Sequence, residues 1–196
     1  MSAAPIHDTL ERLCMLLRVE ARVTGSGEGL LPVQIEALHY LARCNRYSDT
    51  VQGLTGFLNQ TKGTVSQTVK VLESRGLIEK RADANDGRVS HLLLTDKGRA
   101  LIAEAIPPHA LSRGISLLPA DTVTALTDGL AALLQATQTA NDFKTFAACH
   151  SCRFNQQDGD GHRCGLTGEA LSGDDIRKIC REHQYPDTER RDGASA

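Results

Sequence analysis

Around Gly76 the apolar pattern of this chain changes period. Before it, Val65, Val69 and Leu72 recur at helical steps behind Thr61, a good N-cap, and predict a helix over 62–75. After it, residues 77–81 and 89–94 read as two extended runs, and Asp83-Ala84-Asn85-Asp86-Gly87 between them reads as a hairpin turn. Upstream, Ile6, Leu10, Leu13 and Leu17 mark an amphipathic helix over 6 to about 22, broken by the Gly-Ser-Gly-Glu-Gly run at 25–29. Leu31-Pro32 starts a second helix with Ile35, Leu38 and Leu41 inward, and a short segment at 50–58 carries Leu54 and Leu58 ahead of a turn at Asn59-Gln60. Downstream, Thr95-Asp96 caps a helix reaching about 113 that Pro107-Pro108 should bend or interrupt. A last long helix opens at Pro119, with Asp121 in its first turn and Val123, Leu126, Leu130, Leu133 and Leu134 on one face.

Helix, short helix, turn, capped helix and hairpin over 32–94 is the order of a winged helix-turn-helix, whose second helix enters the major groove. The expected fold class is mainly α with a small β-hairpin wing. Helical dimerisation regions come from both ends, and a cysteine-rich extension follows. With 65, 69 and 72 inward, Lys62, Thr64, Ser66, Gln67, Thr68 and Lys70 are expected on or near the outer surface, where hydrogen-bonding groups can meet bases and phosphates. The net charge of -2 gives no globally basic surface, but residues 61–99 carry eight Lys or Arg against five acids. That local excess is where a DNA face should be.

With 196 residues, 40% hydrophobic and 23% charged, the composition is that of an ordinary globular protein and excludes two large domains. No run approaches the roughly 18 to 20 apolar residues of a membrane span, and the acids of MSAAPIHDTLERLC stand where a signal peptide has its apolar core. The expected compartment is therefore the cytoplasm. There is no nucleotide-cradling glycine loop and no nucleophile-base pair at a recognisable spacing, which argues against an enzyme or an electron carrier.

Four of the six cysteines, Cys149, Cys152, Cys164 and Cys180, lie in the last 48 residues as C-x2-C-x11-C-x15-C. In a reducing compartment such a quartet reads as a metal site before it reads as disulfides. Structural zinc usually takes two tight pairs or a mixed Cys/His set. One pair and two isolated cysteines suit an iron-sulfur cluster better, above all the cuboidal 4Fe-4S form with one thiolate per iron. Zinc stays open as the alternative, since His150, His162 or His183 could replace a ligand, although solvated loop positions are the simpler expectation for them. Thiols that switch through disulfides, or carry nothing, are a third reading. Cys14 and Cys44 fall within the first two helices and read as small buried hydrophobes.

The run LTGFLNQTKGTVSQTVKVLESRGLIEKRADANDGRVSHLLLTDKGRAL resembles the winged-helix segment of MarR-type transcriptional regulators. The Leu-Glu-x-x-Gly-Leu-Ile exit from the recognition helix and the Asp-x-Arg…Leu-Thr-x-x-Gly wing carry the likeness, which is specific over 54–101 and follows element order over about 10–140. The resemblance implies a homodimer made by the first and last helices, bound to a pseudo-palindromic site on double-stranded DNA. It also implies a minor-groove role for Arg88 and DNA contacts from Thr61, Lys62, Thr64, Ser66, Gln67 and Thr68. Gly87 stands where the family often has a second arginine, and Gly63 weakens the helix start by about 1 kcal/mol relative to alanine.

The expected organisation is a dimerisation helix at 1–30, a winged helix-turn-helix at 31–95, dimerisation helices at 96–140, a metal-binding extension at 141–183 and a disordered tail at 184–196. The leading expectation is a regulator, a repressor in kind, whose cluster senses redox state, iron, oxygen or nitric oxide. The alternative is a structural zinc staple, with a small aromatic or drug-like effector bound between the dimerisation helices and the wings.

Overall fold

The computed structural model describes residues 2–27, 29–84 and 86–186. Helix α1 (Ala4–Gly27) continues past 22 into the glycine run that the sequence pattern marks as its break. Helix α2 (Pro32–Arg43) follows with proline in its first turn, and the Leu31 N–H donates to the Gln34 side chain at 2.9 Å. Helix α3 (Val51–Leu58) is opened by Thr50, whose hydroxyl accepts from the Gly53 N–H at 3.1 Å, and is closed by Asn59 in the left-handed conformation at φ 50°. Helix α4 (Lys62–Ser74) is opened by Thr61, whose hydroxyl accepts from the Thr64 N–H at 3.3 Å.

Strands β1 (Ile78–Ala82) and β2 (Ser90–Leu94) pair antiparallel, Ile78 opposite Leu94 and Ala82 opposite Ser90. They form the wing, although Asn85 in its turn lies outside the described residues. Helix α5 (Asp96–Ala105), capped by Thr95, stops short of Pro107-Pro108, and a separate α6 (His109–Ser116) begins beyond. The prolines thus interrupt the helix outright. Helix α7 (Ala120–Ala140) starts behind Pro119 as expected.

One core joins these elements. Leu38, Leu54, Val65, Leu72, Leu77 and Leu92 are buried in it, each stabilising the fold by about 1.5–3 kcal/mol relative to exposure. At Gly53 a side chain is impossible without movement, because a Cβ there would lie 2.1 Å from the Ser48 carbonyl oxygen. That same oxygen accepts from the Tyr40 hydroxyl at 2.9 Å, which presses the turn between α2 and α3 against both helices.

In contrast, no residue of α7 is buried, and Ile6, Leu13, Leu16 and Val19 of α1 are exposed with Leu126, Leu130, Leu133 and Leu134 of α7. Cys14 is exposed too, against the expectation of a buried hydrophobe. The chain packs α1 mainly against α2 and α6, and this covers only part of its circumference. Cys44 is buried as expected.

The cysteine segment folds back onto the winged helix. A 3-10 turn at Cys149–Ser151 leads to a sheet of β3 (Asn155–Asp158), β4 (Gly161–Cys164) and β5 (Ala170–Leu171) in that order, all antiparallel, and a second 3-10 turn covers Asp175–Arg177. Ile179 then enters the winged-helix core. The Phe146 ring packs against Phe57 and Tyr40, with centroids 5.5 and 6.2 Å away. Of the tail expected to be disordered, residues 184–186 are in place, the Gln184 carbonyl accepting from the Arg153 N–H at 2.8 Å and the Tyr185 ring lying against His183. Residues 187–196 lie outside the described residues.

Candidate functional site

Two sets of residues bear on function, and they share a boundary. The first is the outer face of α4 with the wing. Lys62, Thr64, Gln67 and Lys70 are exposed, and Ser66 is half-buried, as the helical pattern predicts. Thr68 is not on this face: it is buried, 6% exposed, and is a correction to the expected set. With 3.6 residues per turn, 68 falls beside 65 and 72 on the inward stripe, which accounts for its burial. Three of the hydroxyls are engaged within the helix: Thr61 and Thr64 share a hydrogen bond at 2.9 Å, and Ser66 donates to the Lys62 carbonyl at 2.7 Å. Lys62, Gln67, Lys70 and Arg88 therefore offer the side chains most free to reach a duplex.

Arg88 is exposed at the tip of a pinned turn. Its N–H donates to the Asp86 carboxylate at 2.9 Å, and the Asp86 N–H donates to Asp83 at 2.8 Å. The wing is held to the helix pair by His91, whose ring nitrogens meet Asp49 at 2.6 Å and Asp83 at 3.0 Å. Hydrogen bonds to these carboxylates raise the His91 pKa above its ordinary value, and burial raises that of Asp49. The β1 lysine Lys80 pairs with Glu73 of α4, a second tie between the wing and the helices.

Lys62, Ser66 and Arg88 line one groove of about 1020 Å³ with Thr50 and Gln52 of α3. Arg46, before α3, and Arg181, from the cysteine segment, line it too. Sequence periodicity missed both, since each lies in a turn. The +3 excess over 61–99 drew attention only to charges close together in the chain.

The second set is the cysteine centre. Cys149 and Cys152 are buried, and Cys164 and Cys180 are partly so. Burial, and then the neighbouring thiols of Cys180, Cys152 and Cys164, push the Cys149 pKa up to about 12. All four expected ligands therefore lie in one electrostatic neighbourhood. Among the described residues, however, no three His, Cys, Asp or Glu side chains are drawn together as ligands of a single metal ion. A tetrahedral zinc with Zn–S bonds of about 2.3 Å would hold its sulfurs roughly 3.8 Å apart, whereas thiolates on separate irons of a cuboidal cluster stand further apart.

The nearby histidines are of little use as ligands. His183 is buried, contrary to the expected solvated loop position, and its nitrogens are taken by the hydroxyls of Thr145 at 2.6 Å and Ser151 at 3.0 Å. His162 contacts Asn155 at 2.9 Å, and His150 is exposed with a 3.3 Å contact to the Ile176 carbonyl. The donor set that remains is four thiols, which fits a soft, sulfur-rich group. The side-chain nitrogen of Asn45, in the turn bonded to Ile179, is buried and has no hydrogen-bond partner among the described residues.

The two sets meet at the turn between α2 and α3. The Ile179 N–H donates to the Arg43 carbonyl at 2.8 Å, and the Asn45 N–H donates to the Ile179 carbonyl at 2.9 Å. The Arg181 N–H donates to the Ser48 hydroxyl at 2.9 Å. Arg46 reaches Asp175 at 3.2 Å and Glu169 at 3.3 Å. The exposed Arg46–Glu169 pair contributes about 0.2–1 kcal/mol, less than the burial of Ile179 does to hold the segment down.

The element order and the hairpin define a winged-helix fold. Residues 28–89 match the model of the MarR family. The transcriptional repressor MprA of Escherichia coli is 28% identical over 127 residues, which cover 60% of this chain and 72% of MprA. The transcriptional regulator Tm0710 from Thermotoga maritima is 25% identical, with a TM-score of 0.51 over 70% of this chain and 96% of its own. Streptococcus pneumoniae FabT in complex with DNA is similar in fold, with a TM-score of 0.59, 22% identity and coverage of 71% and 99%. The matched relatives are a transcriptional repressor and a transcriptional regulator, and the part of this chain they cover is the winged helix with its flanking helices. The family match ends before the first of the four clustered cysteines. No helix among the described residues is long and apolar enough to cross a membrane.

Proposed function

We propose that this chain is a dimeric transcriptional repressor whose Cys149, Cys152, Cys164 and Cys180 hold an iron-sulfur cluster, 4Fe-4S in form, that reports redox state, iron supply, oxygen or nitric oxide. The observation that carries the reading is the seam at residues 43–48, where the strand of chain leading into Cys180 is hydrogen-bonded to the turn that leads into α3. Cys149, Cys152, Cys164 and Cys180 would hold the group, whose positive charge would favour their thiolate form, against the burial that raises the Cys149 pKa to about 12.

The residues of the chain do the rest. With the four thiolates held, Ile179 stays in the core and Ser48 stays bonded to Arg181, which keeps Thr50 at the start of α3 and Asp49 on His91 of the wing. Release of the thiolates frees the segment, and the turn, α3 and wing lose a shared support. The contacts favour this direct route into the helix pair over one that runs through the dimerisation helices. The exposed apolar faces of α1 and α7 support the homodimer, and two copies would set two α4 helices on a pseudo-palindromic duplex.

The test is anaerobic purification with iron, sulfide and zinc analysis, the visible spectrum, and binding to a DNA fragment selected by the protein from a random pool. Brown protein with iron and acid-labile sulfide, lost in each of Cys149→Ser, Cys152→Ser, Cys164→Ser and Cys180→Ser, is the expected result. Loss of metal should shift DNA affinity by about 5- to 150-fold, the usual range of coupling between sites. Colourless protein with one zinc would make the site a structural staple. Metal loss without any change in DNA binding would remove the sensing role.

A further inference from the structure

Asn45 is 1% exposed, and its two side-chain atoms have opposite fates. Its Oδ1 accepts from the Ser48 hydroxyl at 2.7 Å and from the Tyr47 N–H at 3.2 Å, so the plane of the amide is fixed. Its Nδ2 is buried and finds no acceptor among the described residues. A buried amide donor without an acceptor has lost its water and gained nothing in return, a penalty that folded proteins rarely leave uncompensated.

The surroundings show where such a partner belongs. The backbone of Asn45 is bonded to Ile179 and the hydroxyl of Ser48 to the N–H of Arg181, so residues 45–48 bracket Cys180 from both sides. A neutral thiol is a weak acceptor; a metal-bound thiolate is a far better one.

We propose that the Asn45 side-chain amide donates a hydrogen bond to the metal-ligating sulfur of Cys180, joining the cysteine centre to the turn that sets α3. The inference rests on the reading of the four cysteines as a metal site and adds a positioning residue from the DNA-reading core. The donor stabilises negative charge on sulfur, so it favours the reduced state of a cluster and raises its midpoint potential. It also holds Cys180 in ligating orientation, and losing a partner of this kind lowers metal affinity by about 10- to 100-fold.

The full chain, loaded anaerobically with iron and sulfide, is compared with Asn45→Ala, Asn45→Asp and Ser48→Ala by redox titration and by the bleaching rate of the visible band in air. Asn45→Asp keeps the acceptor for Ser48 and Tyr47 and so guards against a failure to fold, which circular dichroism checks. The midpoint potential should fall and bleaching should quicken in Asn45→Ala, more so in Asn45→Asp, where an oxygen faces the sulfur. Ser48→Ala, which unfixes the amide, should shift both in the same direction by less. If the parent takes zinc, cobalt substitution serves instead, with a shifted sulfur-to-cobalt absorption band as the expected sign. A parent that holds metal while the folded Asn45 variants match it in potential, bleaching or cobalt band overturns the donor role alone. A parent that takes up neither iron nor zinc overturns the metal reading and the donor role together.

Discussion

Cys44, at the exit of α2, and Ile179, next to Cys180, form a parallel β-bridge, so the segment bearing the last cysteine is a backbone partner of the winged-helix core. A further bridge joins Ala148, next to Cys149, to the other side of Ile179. One apolar residue is thus clasped between the two ends of the cysteine segment and the winged helix.

If that clasp is structural, Ile179→Ala should destabilise the whole winged helix and not only its C-terminal part. A buried isoleucine cut to alanine costs about 2–5 kcal/mol. Thermal unfolding followed by far-ultraviolet circular dichroism should show one transition moved to lower temperature. An early, separate loss of the cysteine segment with an unshifted main transition would contradict this.

On DNA, Arg88→Ala should weaken specific binding by about 1–3 kcal/mol, and Lys62→Ala should also flatten the dependence of affinity on salt. Fluorescence anisotropy at several salt concentrations, on a duplex selected by the protein, measures both. Thr68→Ser should leave DNA contacts unaltered and act through the core instead, because Thr68 is buried. Equal affinities of parent, Arg88→Ala and Lys62→Ala would refute the docking of α4 and the wing.

The wing clamp should depend on pH. Hydrogen bonds to Asp49 and Asp83 raise the His91 pKa above 6.5, so the charged histidine favours the folded wing. This stabilisation is full below about 6.5, the unfolded value, and is lost as pH rises through the higher folded value. The raised pKa of Asp49, caused first by burial, acts at the acidic end and leaves this alkaline-side loss in place. Denaturant midpoints should therefore fall as pH rises through the neutral range in the parent, and His91→Gln should abolish that slope.

Assembly should respond to the uncovered leucines. Sedimentation at micromolar concentration should give a dimer, and Leu13→Asp or Leu130→Asp, both on exposed positions of the single chain, should give folded monomers. A parent that sediments as a monomer would remove the two-half-site arrangement.

Much of this was legible along the chain, and for a local reason. Helix caps at Thr61 and Thr95, the proline break at Pro107-Pro108 and the turn before Arg88 depend on neighbours within a few residues, so spacing alone carries them. The inward stripe of Val65, Val69 and Leu72 follows from the helical repeat. The four-thiol inventory needs no periodicity at all, since residue types are read directly from the chain.

Thr68, Cys14, His183, Ile179 and Asn45 mark where that reasoning ends. Whether Thr68 is at the edge of a buried stripe or outside it depends on how wide a neighbour covers the helix, and Cys14 stays exposed because α1 is only partly covered within one chain. His183 is buried because Thr145 and Ser151 happen to face both ring nitrogens, 38 and 32 residues away. The sequence by itself determined the order of helices, the hairpin, most of the outer face of α4 and the presence of four cysteines in its last 48 residues. Only the tertiary structure decided that the thiols are tied to the turn before α3. Apolar burial is non-directional, so no pattern in residues 141–186 names the surface that Ile179 will enter; that surface exists only once α2, α3 and the wing have packed.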